Sequence, residues 1–129
     1  MTFLPVTHHD AIDLDGLRES LAPFIGDRAV ALFGHAVSDG FGGALAAASR
    51  RALLAGGDDP DAPQVTEAEQ LLIDWGRAIG RDAREIPLDL DARLERTFTP
   101  ALRVLLVAFA SRVVAANVFV AAGRIAVDE

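Results

Sequence analysis

Residues Thr99–Ala122 read TPALRVLLVAFASRVVAANVFVAA, and how this stretch is read decides the fold. Thr99 offers a hydroxyl cap, and Pro100 stands at the first helical position, where a missing N–H does no harm, so a helix begins here. From Pro100 to Ala122 the segment is apolar nearly all round and, as a helix, spans about 35 Å at roughly 1.5 Å per residue. Length alone permits a membrane span. Arg103 and Arg112 argue against one, because an arginine within a span costs about 2.5–3.5 kcal/mol on insertion scales and nothing in the flanks compensates. The stretch is expected to be the central helix of an all-α domain, or one buried further by a partner subunit.

The rest of the chain supports a helical reading. Thr66-Glu67-Ala68-Glu69 has the Thr-x-x-Glu spacing of a capping box. Ala68, Leu71, Leu72, Trp75 and Ile79 follow at helical spacing, with Glu67, Gln70, Asp74, Arg77 and Arg81 mostly elsewhere, and Gly80 closes the helix. A short helix over Asp89–Thr97 buries Leu90 and Leu94. In the first half, Asp13 or Asp15 caps a helix to about Ala22, which Pro23 interrupts. Gly26-Asp27 opens a second helix with Val30, Ala31, Phe33, Ala36 and Val37 on its apolar face and Ser38-Asp39-Gly40 as its end. Phe41–Leu54 is an alanine-rich third helix stopped by Gly56-Gly57. Asp58–Pro63 is a loop, and Met1–Asp13 is an extended arm. Strand-like alternation and hairpin turns are lacking, so about six helices form one domain over residues 1–129.

Composition narrows the chemistry. The 12 basic residues are all arginine, and lysine, tyrosine and cysteine do not occur. That removes thiol nucleophiles, redox dithiols, cysteine-ligated metals, Schiff-base lysines and P-loop lysines. A formal charge of −7 disfavours nucleic acid, since Arg50-Arg51 is the one adjacent basic pair. No basic and then apolar opening marks a signal peptide, so a cytoplasmic location is the expectation. No metal or cofactor is expected. His8-His9-Asp10 sits on the arm without further ligands, and Asp58-Asp59-Pro60-Asp61 lacks the spacing of a calcium loop.

The second half resembles the carboxymuconolactone decarboxylase and AhpD-like superfamily of all-α proteins. The similar run starts at Arg50-Arg51-Ala52-Leu53-Leu54-Ala55-Gly56-Gly57-Asp58-Asp59-Pro60 and continues through Thr66–Gln70 and Asp74-Trp75-Gly76-Arg77-Ala78. It resumes at Phe98-Thr99 and ends with Ala115-Ala116-Asn117-Val118-Phe119. About 80 residues of the C-terminal portion carry it. In AhpD-like relatives a Cys-x-x-Cys pair precedes the basic pair at a helix start, where the dipole lowers the thiol pKa. Those positions fall here on Gly42 and Leu45. The relay carboxylate of some relatives falls near Val30, and a second asparagine falls on Val120. The resemblance therefore implies a divergent scaffold without dithiol or peroxidase activity.

His35, Asn117 and Arg112 stand out as candidates, with Asp39 beside the first. His35 is the titratable group nearest the expected pocket and is either a general base or a core histidine satisfied by the backbone. Asp39 is either its orienter or the N-cap of the next helix. Asn117, the sole asparagine, either bridges helices or faces a polar pocket. Arg112 either pairs with Glu69, Asp74 or Glu85 or anchors a substrate carboxylate. The expected function is that of a structural, binding or regulatory homo-oligomer. The alternative is a cofactor-free lyase or hydrolase of a small carboxylic acid or lactone, with His35 as base, Arg112 or Arg103 holding the carboxylate and Asn117 lining the site.

Overall fold

The computed structural model describes residues 14–61 and 65–123, and every regular element among them is helical. The helices are α1 (Leu14–Ile25), α2 (Asp27–Phe41), α3 (Ala44–Ala55), α4 (Glu67–Asp82), α5 (Leu88–Thr97) and α6 (Pro100–Gly123). The N-terminal arm, with His8-His9-Asp10, and the end of the loop at Ala62 and Pro63 lie outside the described residues.

Helix starts follow local chemistry. At α4 the Thr66 hydroxyl accepts from Glu69 N–H at 3.1 Å, and Thr66 N–H donates to the Glu69 carboxylate at 2.9 Å, so both halves of the capping box form. At α6 the Thr99 hydroxyl accepts from Leu102 N–H at 3.2 Å, with Pro100 in the first turn.

Helix ends follow packing as much as local sequence. Pro23 does not interrupt α1. It sits in the last turn, where one lost backbone bond matters little, and Gly26 N–H still donates to the Ala22 carbonyl at 2.8 Å. Gly40 does not end α2, and Gly80 does not end α4. Both lie inside their helices, where the two backbones nearly touch: a Cβ on Gly40 would overlap the Arg77 carbonyl, and one on Gly80 the Val37 carbonyl. Gly76 extends the seam, a Cβ there falling 2.8 Å from the Ala36 Cβ. The chain turns instead at Gly42, whose left-handed φ of 81° lets its N–H reach the Ser38 carbonyl at 2.9 Å. Consequently α3 begins at Ala44 rather than Phe41. Its N-cap is Gly43, and Asp39 lies within α2, with a carboxylate that accepts from Arg77 Nε at 3.1 Å.

α2 is the axis of the domain. It packs along α4 on one side and against α1, α3 and α6 on the others. Phe33, fully buried, lies 5.5 Å from the Trp75 ring and 6.1 Å from that of Phe109, so the aromatic centre joins α2, α4 and α6. Leu21 of α1, Leu90 and Leu94 of α5, and Phe98 complete the core. α6 buries Leu106, Phe109, Ala110, Val113, Ala116 and Asn117. Its outer side exposes Val104, Val107, Val118 and Phe119. α6 is long and apolar enough to cross a membrane by length and composition, and 33% of its most apolar stretch is buried within the domain.

Candidate functional site

A cavity of about 610 Å³ opens where α2 meets α3, walled also by α1 and α6. Its size is that of small-molecule sites. The walls arise from a run of small residues. Ala31 and Gly34 on α2 and Ala48 and Ala52 on α3 cannot fill the gap, and Phe109, Val113 and Ala116 of α6 close its floor. At Gly34 a Cβ would stand 3.2 Å from the Phe109 ring, so that glycine gives the phenylalanine its place.

Polar groups occur at two ends. At the rim, Arg18 pairs with Asp15 at 3.0 Å, and Arg28 lies 3.7 Å from Asp58 and 3.4 Å from Glu69, with Asp27 beside it. About 10 Å further along α2, seven residues at 1.5 Å each, His35 comes round to the same face as Arg28. His35 is 5% exposed, and its Nδ1 lies 2.7 Å from Ser49 Oγ on α3. Ser49 Oγ also lies 3.1 Å from the Ala46 carbonyl. A hydroxyl has one hydrogen: given to Ala46, it leaves an Nδ1–H of His35 to donate to Oγ; given to Nδ1, it puts the ring hydrogen on Nε2. In the first arrangement Nε2 is a bare acceptor. It makes no hydrogen bond within the described chain, and it is not sealed, Asn117 Oδ1 being the one sealed side-chain polar atom without a partner among the described residues.

Burial holds the His35 imidazole below the ordinary histidine range. The Asp39 carboxylate one turn on opposes that shift without cancelling it, and Arg50 and Arg77 add to it. The ring is neutral at physiological pH. Chemically it is a hydrogen-bond acceptor or a weak base. Ser49 is poorly placed as a nucleophile, because it lies in the second turn of α3, where neighbouring N–H groups are taken up by the helix and cannot form an oxyanion hole.

The sequence candidates separate in space. His35 lines the cavity, as does Leu45 from the expected dithiol positions, whereas Gly42 serves as the turn after α2. Val30, near the expected relay position, is another wall residue. Asn117 stands one layer behind. Its Nδ2 donates to Ser38 Oγ at 3.1 Å and to the Val113 carbonyl at 2.9 Å, and of these two polar side chains only that of Ser38 belongs to the cavity lining. Arg112 is exposed on α6 and outside the cavity lining, which removes the need for a buried carboxylate to balance it. Of the acids considered for that task, Glu69 lies beside Arg28, and Asp74 accepts from Gln70 at 2.9 Å. Arg103 donates from Nε to the Phe98 carbonyl at the start of α6. Ser49 and Arg28 were not legible as site residues in the sequence. The available signal was the Ala/Ser run of α3, which is too small to pack tightly against a helix bearing a histidine.

The arrangement defines an all-α domain with a mainly apolar cavity between its helices. No protein-family model, curated protein or solved structure matches the chain.

Proposed function

We propose that this protein binds a small, largely apolar molecule in the α2–α3 cavity, as a cytoplasmic, non-redox homo-oligomer with a binding or regulatory role. The observation that carries this reading is a cavity of about 610 Å³ with Ala, Gly, Val and Phe walls and a part-buried His35–Ser49 pair at one end. The run of residues quoted above supports a divergent place in the carboxymuconolactone decarboxylase and AhpD-like superfamily. Self-association is supported by the outer stripe of α6. Val104, Val107, Ser111, Ala115 and Val118 fall on one helical face with no charge among them, and Val104 is 68% exposed. A second copy of the same stripe is a matching cover for it.

A neutral fluorophore, N-phenyl-1-naphthylamine, tests the binding reading directly. Saturable one-to-one enhancement is expected, with loss in an Ala48→Trp variant whose circular dichroism is unchanged. Enhancement that does not saturate, or that survives the substitution, would overturn it. Light scattering after size exclusion tests the oligomer: a dimer is expected for the natural chain and a monomer for Val107→Glu, and a monomeric natural chain would sink that part.

The alternative is a cofactor-free lyase or hydrolase with His35 as base, and its support is the open Nε2. Cleavage of 4-nitrophenyl acetate above the rate of free imidazole, lost in His35→Gln, would favour it over binding alone.

A further inference from the structure

The chemistry of the cavity's two ends selects among apolar ligands. Resting on the reading of this cavity as a binding site, we propose that its ligand is uncharged and carries a hydroxyl donor on an apolar body, as an alkylphenol or a long alcohol does. Its O–H donates to Nε2 of His35.

The first ground is the direction of the hydrogen bonds. In the arrangement where Ser49 gives its hydrogen to Ala46, His35 is the Nδ1–H tautomer, and the nitrogen left for a ligand only accepts while the ring is neutral. A carboxylate, which also only accepts, gains no hydrogen bond from that nitrogen. A ligand hydroxyl donates to it.

The second ground is charge. The two guanidinium groups at the rim, Arg18 and Arg28, stand among four carboxylates, Asp15, Asp27, Asp58 and Glu69. The charged lining residues Arg18, Arg28, Asp27 and Asp58 balance, and both guanidinium groups already face carboxylates, so the rim does not steer an anionic ligand inward. An anion that displaced Glu69 or Asp58 from Arg28 would leave a like-charged neighbour behind.

The third ground is shape. Between the rim and His35 lie about 10 Å of wall made by Ala31, Gly34, Ala48, Ala52 and Phe109, with no polar side chain among them. Only an apolar body meets that wall without losing hydrogen bonds to water.

Three ligands matched in size separate the possibilities at pH 8: 4-butylphenol, 4-butylbenzoate and butylbenzene, titrated by calorimetry or by displacement of the naphthylamine. Butylphenol is expected to bind roughly fivefold tighter than butylbenzene, the effect of one net hydrogen bond, and butylbenzoate weakest. In His35→Phe the advantage of the phenol should vanish while butylbenzene still binds. Ring 15N shifts of the free protein should show Nδ1 protonated and Nε2 bare. A bare Nδ1 with protonated Nε2, or benzoate binding as tightly as the phenol, would overturn the ligand class while leaving the cavity reading intact. Failure of butylbenzene, butylphenol and the naphthylamine alike would overturn both.

Discussion

The two long sides of α2 use small residues to opposite ends. Toward α4, glycines 40, 76 and 80 let two backbones come together until a Cβ from one would strike a carbonyl of the other. Toward α3, Ala31, Gly34, Ala48 and Ala52 leave a gap. The difference lies in the register of the pair. On the α4 side each of the three glycines meets backbone of the other helix, so the helices close, and the Phe33 and Trp75 rings lie tilted against each other beside the seam. On the α3 side small faces small, and Phe109 and Val113 of α6 line the gap that remains. Smallness by itself sets neither contact nor void. What stands opposite decides.

The sharpest way to break this contrast is to enlarge one residue on each side. Gly80→Ala should destabilise the protein by about 2–3 kcal/mol in urea denaturation, despite the roughly 1 kcal/mol of helix propensity that alanine brings. A side chain can turn aside from a new methyl group, but the Val37 carbonyl is held in α2. A loss below about 0.5 kcal/mol would show that the seam is looser than described. Ala48→Leu, a larger increase in volume, should change stability by less than about 1 kcal/mol, since the added atoms enter the cavity. The same variant should weaken naphthylamine binding. A large loss of stability would mean that α3 is packed as tightly as α4.

The smallest expected effect is one of pH. With its folded pKa depressed by burial, His35 binds fewer protons in the native state than in the unfolded chain. Its contribution is complete above the ordinary histidine value near 6.5 and is lost as pH falls from there toward the folded value. Stability should thus decline on acidification through that window, and the slope should be smaller in His35→Gln. An identical slope in the variant would place the titrating group elsewhere.

Much of the fold was legible before any coordinate. The Thr66–Glu69 capping box and the Thr99-Pro100 start of α6 act within one turn of chain, and both form as their spacing indicates. Helix ends were less legible. Gly40 and Gly80 have the composition of stop signals, yet each continues its helix because the opposing backbone needs the space. The site was legible in part. His35 could be singled out by residue type, but its partner Ser49 is 14 residues away in the chain and one helix across. Asn117 and Arg112 lie on the same helix as His35's neighbours Phe109 and Val113, and rotation about the α6 axis puts the amide behind the wall and the guanidinium outside it.

Sequence by itself determined that this chain is helical, cysteine-free and acidic, and where its caps lie, because capping, propensity and charge are properties of neighbours in the chain. Which glycines close a seam, which alanines line a cavity and which hydroxyl meets the His35 ring were decided only by the tertiary structure. Each depends on an atom brought close by folding from a distant part of the chain.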